Sequence, residues 1–455
     1  MRICEIRVEG LFGIFNHVVP LNLNQRVTLI HGPNGFGKTI LLSMINSFFN
    51  TDYASLRRIP FNKFSIGFDD GSILQIDKLS QHDLEGNIIY REDDKISLRY
   101  STSDGGRLLH YVLEPLELSA FPRELREVLT HEVPGLERID PETWIYYPTG
   151  EKLSFEAIIY RFRDQLPAAS LIKIVDEPDW LKEIKQSIPV RFIETQRLFT
   201  FISMHRRHRY NKRSSFVHSV INYSEELASE IQKTLAKYGE MSESLDRTFP
   251  IRLISGDITN KLNSEELQIK LNELEEKRSE LRSVGLLDKE EEINFRALKG
   301  FEDKNADVLS IYVNDVKEKF SVFEGLTSKI ELLLNLINKK FLYKKMSISK
   351  VDGFIFTSDG KKLSASSLSS GEQHELVMLY ELLFKLASNS LVLIDEPELS
   401  LHVFWQQQFL RDLQKIIQVS AFDALIATHS PQIIHDRWDL TVELKGPEDA
   451  RKPNS

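Results

Sequence analysis

Apolar positions along the chain follow two periods, and each marks a different kind of element. Ile3, Ile6 and Val8 predict an alternating first strand that carries Cys4, read as a small core residue. Residues 1–110 continue as alternating runs separated by the turns Asp69-Asp70-Gly71 and Ser103-Asp104-Gly105-Gly106, which predicts an antiparallel sheet. Leu391-Val392-Leu393-Ile394 and Ala424-Leu425-Ile426-Ala427 do not alternate, as expected of strands buried on both faces, and Val27-Thr28-Leu29-Ile30-His31 reads as a further apolar, β-branched strand. Helical spacing is expected over 40–49, and over 373–387 through Leu376, Leu379, Leu382, Leu383 and Leu386. Residues 111–190 are mixed and punctuated by prolines. From about 198 to 345 the pattern turns helical, with a heptad-like seam at Leu267, Leu271, Leu274 and Leu281 and Arg278 at one seam position. Gly285 interrupts that seam, which predicts a short helical hairpin in place of a long arm. The expected fold class is α/β: a mixed sheet in two lobes with a helical, short coiled-coil-like insertion.

Between the strand 27–31 and the helix 40–49 lies Gly32-Pro33-Asn34-Gly35-Phe36-Gly37-Lys38-Thr39. A strand, a glycine loop and a helix in succession give this GxxxxGK[ST] match its meaning. Backbone N–H groups of Asn34, Gly35 and Gly37 and the positive end of the helix can surround phosphates. Lys38 adds a point charge and Thr39 a hydroxyl for Mg²⁺. Glycine is expected at 32, 35 and 37 so that no Cβ blocks the approach to the anion.

The strand 391–394 delivers Asp395 and Glu396 at its carboxyl end, the edge at which such sheets bind ligands. Two adjacent acids there are costly to bury without a task. Asp395 is placed to hold Mg²⁺, and Glu396 is the candidate general base for an attacking water. Thr428-His429-Ser430 ends the next buried strand, so His429 is expected beside the same edge, in reach of a γ-phosphate. Leu368-Ser369-Ser370-Gly371-Glu372 opens the helix after it, where Ser369 and Gly371 would make a second anion site or an ordinary helix cap.

Composition narrows the class. The 455 residues are 41% hydrophobic and 27% charged, with net charge −9, so any nucleic-acid contact must be a local patch. The one concentrated basic run is His205-Arg206-Arg207-His208-Arg209-Tyr210-Asn211-Lys212-Arg213, which fits a phosphate backbone, an acidic protein or a solvated loop. A single cysteine excludes an internal disulfide or zinc cluster and points to a reducing compartment. With no secretory leader and no apolar run approaching about 18 residues, a cytoplasmic protein without a membrane span is expected.

In this order the motifs resemble the ATP-binding cassette superfamily, and within it the branch of SMC, Rad50, RecF and OLD-type ATPases, whose nucleotide-binding fold is split around a helical insertion. The resemblance implies an ATP hydrolase using ATP and Mg²⁺, with domains at 1–197, 198–345 and 346–455. It implies that Ser369 and Gly371 act on the nucleotide held by Lys38 of a second subunit, making ATP the glue of a dimer open to higher homo-oligomers. Val190 to Leu198 resembles the strand and loop in which Gln196 reaches toward Mg²⁺ and the water. Gly10-Leu11-Phe12-Gly13 is similar to an adenine-contacting loop, and Glu398 to His402 to the segment that crosses the dimer interface.

More narrowly, Asp395 to His402, Trp405-Gln406 and Ala427 to Pro431 resemble stand-alone ATPases of antiphage defence operons, those of the PARIS systems first and those of Septu next. That resemblance implies a switch that scaffolds a separate effector, expected to be a nuclease encoded nearby, and releases it on a viral trigger. OLD-type proteins carry a nuclease domain after the ATPase, for which the stretch after His429 leaves no room, so a partner would do the cutting. The alternative is a RecF- or SMC-like DNA-binding ATPase of repair or genome maintenance. A transporter's cassette fits least, because the two lobes are so widely split.

Overall fold

The computed structural model describes residues 1–79, 81–82, 88–89, 94–103, 106–115, 129–130, 133, 135–140, 143–147, 151–162, 177–193, 199–202, 215–255, 262–288, 306–399 and 401–447. The class is α/β, as the hydrophobic pattern predicts. The chain forms two compact units, one of Met1–Val217 with Lys385–Ser455 and one of His218–Phe384.

In the first unit an antiparallel sheet runs in the order Phe15–Pro20, Ile3–Leu11, Lys63–Phe68, Ile73–Leu79, Lys95–Ser101, Leu108–Leu113. A second sheet has five strands in the order Val190–Ile193, Leu391–Asp395, Asp423–Ala427, Val27–His31, Thr441–Glu443, and every pairing is parallel. Asp395 pairs with Ala427, Ala427 with Ile30, and Ile30 with Val442, so the carboxyl ends of four strands are level. The helix Lys38–Phe49 joins the two sheets through one apolar core that includes Leu41, Leu42, Ile45, Phe64, Ile66, Leu393 and Leu425. Burying side chains of this size contributes roughly 1.5–3 kcal/mol each, which is what holds the site's strands together.

Three expectations change here. Cys4 is half-buried instead of a core residue, because the register with the neighbouring strand shifts between Ile3 and Glu5 and takes it out of the alternation. Residues 199–202 and 215–218 form a two-stranded sheet before the helical region begins at Ser219, in keeping with the β-forming run Phe199-Thr200-Phe201-Ile202. The helix expected over 373–387 spans Ser370–Phe384, leaving Leu386 beyond its end.

The second unit holds the helices Ser219–Ser255, Ser264–Ser283, Ala306–Ser321, Glu324–Lys340 and Ser370–Phe384 with a three-stranded antiparallel sheet over 345–363. Ser219–Ser255 is a single 37-residue helix, about 55 Å long at 1.5 Å per residue. Leu267 and Leu271 of the seam are buried with Ala306 and Val313, and Leu274 packs against them. The seam is thus an internal packing face. Gly285 ends it with φ 83°, where a Cβ would come within 2.5 Å of the Ile348 carbonyl oxygen. Among the described residues no helix is long and apolar enough to cross a membrane.

Candidate functional site

The phosphate loop connects the strand Val27–His31, which pairs with Asp423–Ala427 on one side and Thr441–Glu443 on the other, to the helix Lys38–Phe49. Gly37 caps that helix in the left-handed region, φ 86°, with no side-chain cap and no acid in the first turn. The first-turn N–H groups therefore stay open toward an anion. A Cβ on Gly37 would lie 2.6 Å from Leu11 Cδ2, so packing as well as φ demands glycine, whereas nothing lies within 4 Å of a Cβ built on Gly35. Phe12 Cε2 borders the same position. His17, buried, donates from Nε2 to the Phe36 carbonyl at 2.9 Å and braces the loop from behind; burial holds its imidazole below its ordinary pKa.

Lys38 is buried and donates from Nζ to the carbonyls of Gly32 (2.8 Å) and Pro33 (3.0 Å), with His429 Nδ1 at 3.4 Å. Burial pushes its ammonium below the usual range, and the nearby carboxylates of Glu396, Asp395 and Glu398 oppose that shift. Thr39 Oγ1 donates to Asp395 Oδ1 at 3.1 Å. Burial raises the Asp395 carboxyl; the Thr39 bond opposes it, and Glu396 and Glu398 add to it. Glu396 stands at φ 46°, its N–H donating to Ala427 O at 2.8 Å, and its Oε1 is 3.6 Å from His429 Nε2. An ammonium can only donate, so Lys38 fixes His429 Nδ1 as the acceptor and leaves the Nε2–H facing Glu396.

Lys38, Thr39, Asp395, Glu396 and His429 thus converge on one sheet edge. Thr39 and Asp395 offer hard oxygens of the kind Mg²⁺ takes, and among the described residues no cluster of three or more His, Cys, Asp or Glu could hold a metal unaided. That donor set fits a cation whose remaining ligands are phosphates and water. Gln196 and the basic run 205–213, including Arg206, Arg207, Arg209, Lys212 and Arg213, lie outside the described residues.

Ser369 and Gly371 belong to the second unit. Ser369 N–H and Oγ–H both donate to Glu372 Oε2 (2.7 and 2.9 Å), which also accepts from Lys344 Nζ at 2.6 Å. This is a reciprocal cap of the helix start, completed by a longer bond from Glu372 N–H to Ser369 Oγ, 3.4 Å. Burial opposes ionisation of Glu372, and the bonds from Lys344 and Ser369 outweigh it, lowering its pKa.

One residue of the edge was read from sequence only as the start of the segment expected to cross the dimer interface. Glu398 gathers the turn that carries His429, accepting from the His429 N–H at 2.8 Å. The signal was its place two residues after Glu396, but only the folded turn gives that spacing a purpose.

A parallel sheet whose strand ends unite a glycine loop opening a helix, an acid pair and a histidine is suited to hold a nucleoside triphosphate. The family model described as AAA ATPase domain (AAA_15) matches residues 1–434, and the chain belongs to that family. It is an ATPase. The Retron Ec83 probable ATPase of Escherichia coli is 27% identical over 171 residues, 32% of this chain and 31% of that protein, so the chain spans under a third of that relative's length. Two solved structures are similar at low scores: the Smc head domain with an extended coiled coil bound to the C-terminal domain of ScpA, from Pyrococcus furiosus (13% identity, TM-score 0.33, 98% of this chain and 94% of that one), and the SMC head domain from Thermotoga maritima (12%, 0.31, 98% and 97%).

Proposed function

We propose that the protein is an ABC-type ATPase that works as a switch, its ATP-bound dimer holding an effector until a viral trigger arrives. The observation that carries the catalytic part is the convergence of Lys38, Thr39, Asp395, Glu396 and His429 on one sheet edge. Lys38 and the open N–H groups of the phosphate loop bind the β- and γ-phosphates, and Phe12 offers a face to the adenine. Glu396 takes the proton of the attacking water, while Lys38 offsets charge developing on the γ-phosphate. Thr39 and Asp395, with Gln196, would hold Mg²⁺, which when bound neutralises phosphate charge. Ser369 and Gly371 serve the nucleotide of a second copy, in which case the Ser369 hydroxyl exchanges its Glu372 partner for a phosphate. The functional division is 1–197, 198–345 and 346–455.

The defence role is supported by the likeness to a retron ATPase. The effector would be a separate nuclease, as in PARIS-type systems, working in the cytoplasm. The test is the native mass of the Glu396→Gln protein, expressed with its neighbouring genes and purified with ATP and Mg²⁺. A complex with a second, nuclease-bearing protein is expected. A bare dimer that retains duplex DNA would point instead to a repair or maintenance clamp, for which Arg206, Arg207, Arg209, Lys212 and Arg213 would be the contact.

A further inference from the structure

We propose that Glu398 is the positioning residue of the ATPase reaction, holding His429 in register with Glu396 and Lys38. The inference rests on the reading that His429 serves hydrolysis. The strand Asp423–Ala427 is followed by Thr428, which is fully buried and anchored by its N–H to Ile30 O at 3.1 Å. After it the chain leaves the sheet, and backbone torsions alone would let the imidazole wander. The Glu398 carboxylate removes that freedom. It accepts from Thr428 Oγ1 at 2.9 Å on both oxygens, and on Oε1 from the N–H groups of His429 (2.8 Å) and Ser430 (3.1 Å).

Successive N–H groups converging on one point make an anion-binding concavity, and here an internal carboxylate fills it. Bonds to a charged acceptor are about twice as strong as neutral ones. Gln406 closes the arrangement: its Nε2 donates to the carbonyls of Glu398 and Leu401, both at 3.1 Å, and its Oε1 accepts from Ser430 Oγ at 3.0 Å. The four residues Asp395 to Glu398 thereby reach Thr39, the His429 ring and the His429 backbone in turn. Metal-side ligand, base and histidine are set by one short segment. The hydrogen bonds of the Glu398 carboxylate go to Thr428, His429 and Ser430, so its positioning action runs through His429, while its charge reaches Lys38 and Asp395 only at longer range.

The experiment compares Glu398→Ala, Glu398→Gln, His429→Ala and the Glu398→Ala/His429→Ala double variant, each checked for an unchanged thermal melt. Steady-state ATP hydrolysis and binding of a fluorescent ATP analogue are the readouts. Glu398→Ala is expected to lower kcat by about 10-fold or more with nucleotide affinity within about 3-fold, the pattern of a misplaced group. Glu398→Gln, whose amide oxygen can still accept from the two N–H groups, is expected to recover most of that loss. In the double variant kcat should equal that of His429→Ala alone. Two independent losses that multiply would overturn the inference, as would full activity of Glu398→Ala beside an impaired His429→Ala. An active His429→Ala would instead overturn the underlying reading of the histidine.

Discussion

Thr39 Oγ1 and Asp395 Oδ1 lie 3.1 Å apart although 356 residues separate them in the chain. The hydroxyl opens the phosphate-loop helix and the carboxylate ends a strand two places away in the sheet, so their meeting depends on the order of the strands between them. Asp395 is held above its usual carboxylate range by burial and by its acidic neighbours, a tendency that a divalent cation would reverse. Thr39→Ala and Asp395→Asn are therefore expected to raise the Mg²⁺ concentration needed for half-maximal ATP hydrolysis by at least about 10-fold. A Mg²⁺ titration at saturating ATP checks this, and an unchanged midpoint would remove both residues from the metal site.

Glu396→Gln preserves shape and hydrogen-bonding reach while removing the basic oxygen. Turnover is expected to fall by roughly 10²–10⁴-fold with ATP still bound. Single-turnover hydrolysis alongside equilibrium nucleotide binding separates the two effects, and native turnover would refute the role of Glu396 as base.

Gly37 and Gly285 both occupy the left-handed region, at φ 86° and 83°, with a would-be Cβ at 2.6 Å from Leu11 Cδ2 and 2.5 Å from Ile348 O. The Gly285 contact is with backbone and cannot swing aside. Gly285→Ala is expected to cost about 1–3 kcal/mol of stability in urea unfolding. Gly37→Ala, whose neighbour is a side chain that can turn, should weaken nucleotide binding more than it lowers the melting temperature.

Lys78 lies buried over the Phe61 ring and donates to the carbonyls of Arg57 and Ile59. Burial lowers its pKa to about 8, with Asp94 opposing and Arg57 assisting. The unfolded lysine titrates near 10.4. Between those values the unfolded chain binds more protons, so the penalty carried at neutral pH is relieved as pH rises from about 8 to about 10.4. Stability to urea should gain more between pH 8 and pH 9.5 in the native protein than in Lys78→Met; equal gains would show that Lys78 keeps its charge at no cost.

The two periods of apolar residues announced the first sheet, the strands ending at His31, Asp395 and Ala427, and the packed seam of Leu267 and Leu271. Those are local matters, since a strand buried on both faces cannot alternate and a helix must present one face to its neighbour. Local pattern misjudged Cys4, because a register slip belongs to the pairing of two strands and not to either one. It also missed the capping partner of Ser369, where Glu372 draws the helix start back to Ser370.

The sequence by itself determined which groups this protein has for its chemistry: a glycine loop with Lys38 and Thr39, the pair Asp395 and Glu396, and His429. Their types and local contexts suit the proposed work on phosphate, Mg²⁺ and water. Only the tertiary structure decided where they stand. Sheet order inserts Asp423–Ala427 between the acid strand and the phosphate-loop strand, and that places the His429 ring between Lys38 and Glu396. Hydrogen bonds between separate segments, Thr39 to Asp395 across 356 residues and Glu398 to the turn at His429 across 31, depend on strand pairing and turn geometry, and no local periodicity encodes either.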